Sequence, residues 1–424
     1  MNRAPALAGH DGTPASPPPR WGALAYPNYR RFWLANVARV FGLQFRFIGA
    51  PWLIVTELDA GPAWLGAVGI ATAASSILVS APAGVLADRM DNKRLILLSQ
   101  TTSAVTDAVL AFLVLTGAAT PWMVVVWAAV AGSLGAVGNP SLNAILPRLI
   151  EMRVVASAVA YSSAIWNTMR ILGPVGAGLL IALIGISQAL FVTAIGFAVS
   201  SLLIATLRLA PVAGGSQASR GGMIEGFRYV LTERIFFATI GLSFFTSLFG
   251  ASYVILLPVF ADDVLDVGVG GFATRVAAAG LGALIGTLSI VRLGSGNLRG
   301  PLMLVAAALF GALIAAFAAS RSFPLSLGLL FLGGFASSVY LNLGMTTLQL
   351  LVPNELRGRV MGVWSLTWVL ASAGGLPAGL LAEWLGAPWA VALGALSVSG
   401  FALTLLATVP SLRSLRSVEV AAGA

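Results

Sequence analysis

Twelve apolar runs, each long enough to cross a lipid bilayer as a helix, occupy most of this sequence. About 20 predominantly apolar residues in a helix span the roughly 30 Å hydrocarbon core of a bilayer, and 58% of the 424 residues are hydrophobic. Open sheets are excluded there because unpaired backbone groups find no hydrogen-bond partner in hydrocarbon. The pattern predicts an all-α integral membrane protein. We place the spans at 32–55, 62–86, 95–117, 121–146, 155–181, 187–207, 236–260, 269–291, 301–319, 324–350, 359–382 and 387–409.

The charged residues between the runs differ on the two sides of the predicted membrane. One side carries Arg30, Arg31, Arg89, Lys93, Arg94, Arg148, Arg153, Arg208, Arg220, Arg228, Arg234, Arg292, Arg299, Arg357, Arg359, Arg413 and Arg416. The other side carries Glu57, Asp59, Asp262, Asp263, Asp266 and Glu383, with Arg275 and Arg321 as its bases. Because cytoplasmic loops are enriched in Lys and Arg, we predict a multi-pass protein of the cell inner (plasma) membrane with both termini in the cytoplasm. The net charge of +9 therefore does not indicate a nucleic-acid partner.

Composition also divides the chain into two halves of six spans. Residues 223–231 show helical spacing of apolar residues, which fits either a short helix at the membrane surface or an early start of the seventh span. The predicted units are a disordered cytoplasmic tail (1–28), a first half (29–208), a cytoplasmic linker (209–234), a second half (235–410) and a cytoplasmic tail (411–424).

Several residue types that common chemistries require are absent or badly placed. The chain has no cysteine, and its single histidine, His10, lies in the polar N-terminal tail, so thiol chemistry and a His-ligated metal site in the membrane are excluded. The single lysine, Lys93, follows Asn92 rather than glycine, so no phosphate-binding loop of the G-x-x-x-x-G-K type exists. No cluster of catalytic side chains is present. We predict neither an enzyme nor a bound cofactor or metal.

The segment Gly84–Arg94 (GVLADRMDNKR) concentrates charge in a chain that is only 9% charged. Its spacing, G-x-x-x-D-R-x-x-x-K-R, resembles the motif between the second and third helices of major facilitator superfamily transporters, which usually have a second glycine where this chain has Asp91. The alternative is a topology signal, but such signals depend on Lys and Arg and largely ignore Asp. The resemblance implies a cytoplasmic gate formed by Gly84, Asp88, Arg89, Lys93 and Arg94.

Similar Gly- and Pro-containing segments occur in the two halves. GPVGAGLL begins at Gly173 in the fifth span, and GGLPAGLL begins at Gly374 in the eleventh. Interruptions at corresponding places in two halves are typical of alternating-access transporters, although small residues also serve ordinary packing between membrane helices. We predict helix pivots at Gly173, Pro174, Gly178 and Pro377.

These features resemble the major facilitator fold over residues 28–412, with twelve transmembrane helices as two six-helix pseudo-repeats. Details resemble the branch that contains enterobactin exporters, macrolide-efflux proteins and transmembrane secretion effectors. The segment 173–178 partly matches the fifth-helix signature of proton-driven exporters, whereas the fourth-helix arginine of proton-coupled drug exporters is missing. The matching details are PWLIV (51–55), GVLADR (84–89), LPRL (146–149), RILGP (170–174) and VPNELRGRVMG (352–362).

Four ionisable residues lie deep in predicted spans: Arg39, Arg46, Asp107 and Arg170. Each arginine costs at least about 2.5–3.5 kcal/mol at mid-membrane and must therefore face protein or a water-filled cavity. Arg39 and Arg46 lie seven residues apart on one helix face, and Gln44 lies between them. The resemblance places these arginines and Gln44 at a central substrate cavity and Asp107 on a peripheral helix, as a coupling group or charge partner. The alternative is a fixed polar network that holds the first half together.

The second half is expected to contribute uncharged groups to the same cavity, namely Tyr340, Asn342 and Trp364. Positive charge on one wall and aromatic and amide groups on the other suit an amphipathic organic anion or zwitterion. We predict a monomeric, proton-coupled secondary transporter that exports a small organic compound, such as a siderophore or an antibiotic, by alternating access. An importer or facilitator of a metabolite or lipid is the nearer alternative, and a receptor or scaffold is the more distant one.

Overall fold

The computed structural model describes residues 21–151, 154–208, 222–250, 252–261, 268–293 and 299–413. Within these ranges the chain is helical and contains no strand, which confirms the predicted all-α class. Two short π-helical turns, at Leu53–Glu57 and Thr246–Gly250, occur between helices. The helices are α1 (Pro27–Trp52), α2 (Pro62–Arg89), α3 (Asn92–Leu115), α4 (Pro121–Ile145), α5 (Val155–Ile184), α6 (Ile186–Ala205), α7 (Gly222–Thr232), α8 (Arg234–Phe245), α9 (Ser252–Val259), α10 (Gly268–Leu293), α11 (Arg299–Ala319), α12 (Phe323–Leu351), α13 (Asn354–Ala373), α14 (Gly375–Leu385), α15 (Ala387–Thr408) and α16 (Pro410–Arg413).

Ten helical segments in the described ranges are long and apolar enough to cross a membrane, and α8 and α9 together count as one of them. Helix α1 does not meet this criterion because its four arginines lower its mean hydropathy. The eleventh predicted span is interrupted at Gly374, between α13 and α14. Length and composition therefore support ten spans. Of the two remaining predicted spans, the first contains several arginines and the eleventh is broken at Gly374.

Consecutive long helices run in opposite directions, so the bundle has two ends. We call the end at which α1 begins the near end and the end at which α1 finishes the far end.

At the far end, a single glycine joins α5 to α6 and another joins α14 to α15. Gly185 and Gly386 have φ angles of 89° and 85°, a left-handed conformation that glycine adopts without steric cost. The two halves therefore share the same one-residue turn at corresponding places.

The buried core is continuous at the far end and divided at the near end. The largest cluster joins residues of both halves, such as Phe45 and Trp52 of α1 with Phe272 of α10. At the near end, one cluster around Tyr29 belongs to the first half, and a separate cluster around Trp364 belongs to the second half. Among the described residues, the buried core thus joins the two halves at the far end, whereas the near-end clusters around Tyr29 and Trp364 are separate.

Close backbone contact holds the halves together at the far end. Helix α2 packs against α13 and α14, and α5 packs against α10. A methyl group added to Gly66 would lie 2.6 Å from the Leu376 Cα atom, and one added to Gly178 would clash with the Ala273 side chain. Trp52 of α1 stacks on Phe272 of α10 with ring centroids 6.1 Å apart. Small residues allow helices of the two halves to approach this closely.

The predicted matching interruptions of the fifth and eleventh spans differ in structure. Pro174 lies inside α5, which continues without a break from Val155 to Ile184. Pro377 lies in the first turn of α14, where proline is tolerated because the backbone N–H groups have no intrahelical acceptor. The break itself is at Gly374, which packs against the Leu248 backbone of the second π-helical turn. The pivot role of these residues remains a proposal.

The linker region ends in a helix of its own. Helix α7 is separated from α8 by Glu233, and α7 packs against α13. Its Val230 is buried in the near-end cluster of the second half, and Tyr229 contacts Phe236 of α8 with ring centroids 5.4 Å apart. The preceding residues 209–221 lie outside the described ranges. A separate short helix therefore precedes the seventh span.

Candidate functional site

A polar cavity of about 260 Å³ lies in the near-end half of the first six helices, between α1, α4 and α5. Helical spacing brings its lining together, because residues three, four or seven apart share one face. Asn139 and Asn143 are exposed on α4, and Trp166 is 47% exposed on α5. The cavity is lined by Phe32, Asn36, Arg39, Leu43, Asn139, Leu142, Asn143, Leu146, Ser162 and Trp166.

Arg39 provides the positive charge of this cavity. Its Nε and Nη2 atoms donate to Asn36 Oδ1 at 3.3 and 3.0 Å, and Nη1 donates to Asn139 Oδ1 at 3.4 Å. The guanidinium carbon lies 5.9 Å from the centroid of the Trp166 ring. Amides orient the guanidinium without cancelling its charge, and no described carboxylate lies within ion-pair distance of Arg39. The cavity can therefore attract an acceptor-rich, anionic group.

The three asparagines of the cavity were not among the predicted site residues. Asn36 lies three residues before Arg39, and Asn139 and Asn143 lie four residues apart on α4. These spacings place polar groups on one helix face, so the signal was available in the sequence. It was weak because single asparagines carry no charge and are common at helix interfaces in membranes.

Arg46 is held by Asp107, two turns farther along α1 from Arg39. Arg46 Nη2 donates to Asp107 Oδ1 and Oδ2 at 2.8 and 2.7 Å. Trp127 Nε1 donates to Asp107 Oδ1 at 2.8 Å, and the guanidinium carbon of Arg46 lies 5.1 Å from the Trp127 ring centroid and 4.8 Å from that of Phe197. The structure thus places Asp107 as a charge partner of Arg46, among α1, α3, α4 and α6.

Gln44 joins α1 to α5 rather than lining the polar cavity. Its Nε2 atom donates to the Met169 carbonyl oxygen at 2.7 Å. A methyl group at Gly173 would lie 2.5 Å from the Gln44 Cβ atom, so glycine permits this contact. The Arg170 side chain lies outside the described part of the structure. Of the predicted substrate residues in the first half, Arg39 lines the polar cavity, whereas Arg46 and Gln44 make contacts between helices.

The predicted substrate residues of the second half lie in packed surroundings. Tyr340 is buried near Phe310, with ring centroids 5.9 Å apart. Asn342 donates from Nδ2 to the Ser338 carbonyl oxygen at 2.8 Å, and Trp364 is buried in the near-end cluster of the second half. The structure does not bring these three residues together with Arg39.

Arg275 is a buried cation that the sequence reading assigned to the loops of the far side. It lies two turns inside α10 with no exposed surface, and its guanidinium carbon lies 5.3 Å from the Phe323 ring centroid. Its guanidinium nitrogens have no hydrogen-bond partner among the described residues. The predicted span 269–291 contains Arg275, but the assignment to the loops relied on its place in the first two turns after the predicted start of that span.

The described residues of the predicted gate contact their own half. Lys93 Nζ donates to the carbonyl oxygens of Ala205 and Leu207, at 2.8 and 2.7 Å, where α6 ends. Asp91 Oδ1 accepts from Arg148 Nη1 at 3.1 Å, and Arg94 is exposed. The side chains of Asp88 and Arg89 and the surroundings of Gly84 lie outside the described part of the structure.

Comparison with known proteins identifies relatives of this chain over most of its length. A family model described as transmembrane secretion effector matches residues 19–422. The multidrug efflux pump Tap of Mycolicibacterium fortuitum is 28% identical over 81% of this chain and 87% of its own length. The enterobactin exporter EntS of Shigella boydii is 26% identical over 90% of both chains. The staphyloferrin A transporter of Staphylococcus aureus is 29% identical over 57% of this chain and 61% of its own length.

Solved transporter structures share the fold. The nucleoside transporter NupG superposes with a TM-score of 0.72 at 14% identity, over 90% of this chain and 98% of its own. A bacterial homologue of the iron transporter ferroportin in an inward-facing state superposes with a TM-score of 0.69 at 14% identity, over 89% of this chain and 98% of its own. The chain therefore belongs to the transmembrane secretion effector family of the major facilitator superfamily and is a membrane transporter of small molecules, not an enzyme.

Proposed function

We propose that this protein is a proton-coupled secondary transporter that exports a small amphipathic organic compound by alternating access. Twelve spans, namely the ten apolar segments and the two irregular ones, would form two six-helix halves in the inner membrane of a bacterium. Both termini and the near end would face the cytoplasm. The protein would act as a monomer, because the polar cavity is formed within one chain.

One observation carries this proposal: among the described residues, the core is continuous across both halves at the far end but divided between them at the near end. A transporter that alternates between two states must have a state in which one end is sealed and the other is open. With the near end in the cytoplasm, this arrangement opens the polar cavity to the side on which an exporter binds its substrate.

The substrate class follows from the cavity. Arg39 offers charge-assisted hydrogen bonds to a carboxylate or another acceptor-rich group. Exposed Trp166 offers an aromatic surface beside it, and Asn143 and Ser162 offer uncharged polar contacts. Among the relatives, the names enterobactin exporter and multidrug efflux pump indicate siderophores and antibiotics as the substrate classes to test first.

Transport by membrane vesicles of opposite orientation tests the direction. We expect everted vesicles to accumulate a fluorescent carboxylate-bearing substrate when a proton gradient is imposed, and right-side-out vesicles to expel it. A protonophore should abolish both effects. Accumulation by right-side-out vesicles instead would show an importer. Vesicles with Arg39→Gln at equal protein level distinguish transport through this cavity from leakage.

A further inference from the structure

A second, smaller cavity adjoins the polar cavity on the side away from α5. It has a volume of about 80 Å³ and lies between α1, α3, α4 and α6. It shares Arg39, Leu43, Asn139 and Leu142 with the polar cavity. We call it the side cavity. One water molecule occupies about 30 Å³ in the liquid, so the side cavity has room for a few. It ends at Arg46, the partner of Asp107.

Buried polar atoms with no protein partner line the side cavity. Gln100 of α3 is 3% exposed, and neither its Oε1 nor its Nε2 atom has a hydrogen-bond partner. The Nε atom of Arg46 is also buried without a partner. A buried polar group without a partner costs about 1–3 kcal/mol, and water is the ligand that can serve one acceptor and two donors in so small a space.

Asp107 lies at the inner end of a polar stripe on α3. Gln100, Ser103 and Asp107 are three and four residues apart, so they share one helix face over about 10 Å. All three are buried. Ser103 lines the side cavity together with Gln100. The stripe therefore runs from the water-sized space to the carboxylate.

Few charged groups face Asp107 from the surrounding helices. From α1, Arg46 forms the ion pair, and Arg39 lies at the other end of the side cavity. From α4, Trp127 donates its indole N–H to Oδ1. Helices α4 and α6 contain no ionisable side chain. Among the described residues, Asp107 is the fully buried carboxylate, and no other acid shares its site.

We propose that Asp107 is the proton-binding group of this transporter and that water in the side cavity, ordered by Gln100 and Ser103, connects it to the polar cavity. This inference rests on the proposed proton-coupled transport. The reactive atom is Oδ2, because Oδ1 accepts from both Trp127 and Arg46 whereas Oδ2 accepts from Arg46 alone. A proton passes from the nearest water to Oδ2, and that water regains a proton along the chain of waters from the polar cavity.

Protonation changes the contacts of Arg46. A neutral Asp107 no longer attracts the guanidinium by charge, and the O–H group occupies Oδ2. The unpartnered Oε1 of Gln100 lines the same cavity as Arg46 and is available as its new acceptor. Deprotonation restores the ion pair between α1 and α3. Proton binding is thereby linked to a change in the contact between two helices of the first half.

Infrared pH-difference spectroscopy of the protein in lipid vesicles tests the site without a known substrate. We expect a protonated-carboxyl C=O stretching band in the wild type that is lost in Asp107→Asn and shifted in Asp107→Glu. If Asp107→Asn does not fold, the double variant Arg46→Gln/Asp107→Asn, which leaves no unpaired charge, replaces it. A band that persists in the Asn variants would overturn the assignment.

Exchange in D2O tests the side cavity as the route. Because Gln100→Leu removes the polar atoms that order water, it should keep the Asp107 band but slow its deuterium shift several-fold. The control Gln349→Leu changes an exposed glutamine of α12 and should exchange as the wild type does. Equal exchange in both variants would exclude this route. If the band titrates but wild-type vesicles transport without any response to a proton gradient, proton coupling fails while the proton site stands.

Discussion

Arg39 holds a charge in the polar cavity that amides orient but do not neutralise. Arg39→Gln should raise the apparent Km for a carboxylate-bearing probe by about tenfold or more, since a hydrogen bond to a charged group is worth about 1.5–3 kcal/mol. Transport by proteoliposomes measures this, with neutral and permanently cationic probes of similar size alongside. Arg321→Gln, at an exposed far-end position, is the control. An equal loss for all three probes would assign Arg39 to the scaffold.

The ion pair between Arg46 and Asp107 links stability to charge balance. Asp107→Asn or Arg46→Gln alone leaves one buried charge without its partner, which should lower the free energy of unfolding by about 3–5 kcal/mol. The double variant should recover most of this loss because neither charge remains. Thermal unfolding of the wild type, the two single variants and the double variant in detergent gives the four measurements of a double-mutant cycle. Additive losses in the double variant would mean that the two side chains act independently.

At the scale of the element, Lys93 fastens the start of α3 to the end of α6. Its two hydrogen bonds satisfy carbonyl groups at a helix C-terminus, where a positive charge is favourable. Lys93→Met should therefore lower the free energy of unfolding by about 1–2 kcal/mol, whereas Arg94→Gln, at an exposed neighbour, should not. Chemical denaturation in detergent compares the two. A larger loss in the Arg94 variant would contradict the capping role.

The helices and their order could be predicted from the sequence because hydrocarbon permits few alternatives to a helix of about 20 apolar residues. The predicted span 121–146 matches α4 (Pro121–Ile145) closely. The exact position of the break at Gly374 was harder to predict from the sequence, because it depends on backbone contact with the turn at Leu248, more than 120 residues away. At Pro174 the helix α5 continues without a break, and the pivot role of this residue stays a prediction.

For the site, the sequence predicted which charged residues are buried in the membrane but not which of them pair with each other. The sequence indicated that Asp107 neutralises one arginine, but not which one, because that depends on the rotation of α1 against α3. Arg39 and Arg46 differ by only about 20° on the helix, yet one meets amides and the other a carboxylate. Packing between helices also determines the position of Trp364, which was expected at the substrate cavity and is buried in the near-end cluster of the second half.

At the scale of the whole molecule, glycine contacts at the far end favour the sealed state. Gly178→Ala should destabilise this seal because the new methyl group would clash with Ala273 of the other half. Gly176→Ala, two residues away on the same helix, meets open space and is a matched control. Labelling a single cysteine at buried Ala378 with an impermeant maleimide should rise several-fold from the far side with Gly178→Ala only. Equal labelling in both variants would mean that α5 and α10 do not form the seal.

The orientation of the molecule in the membrane follows from its charge distribution. Lys93, Arg94 and Arg148 lie at the near end and Glu383 lies at the far end, so the near end should face the cytoplasm. The chain has no cysteine, which allows single cysteines to report on each side. In intact cells, an impermeant maleimide should label Ser322→Cys between α11 and α12 but not Ser216→Cys in the linker, and everted vesicles should reverse the pattern. External labelling at position 216 would invert the topology, and Arg39 would then lie in a cavity open to the outside.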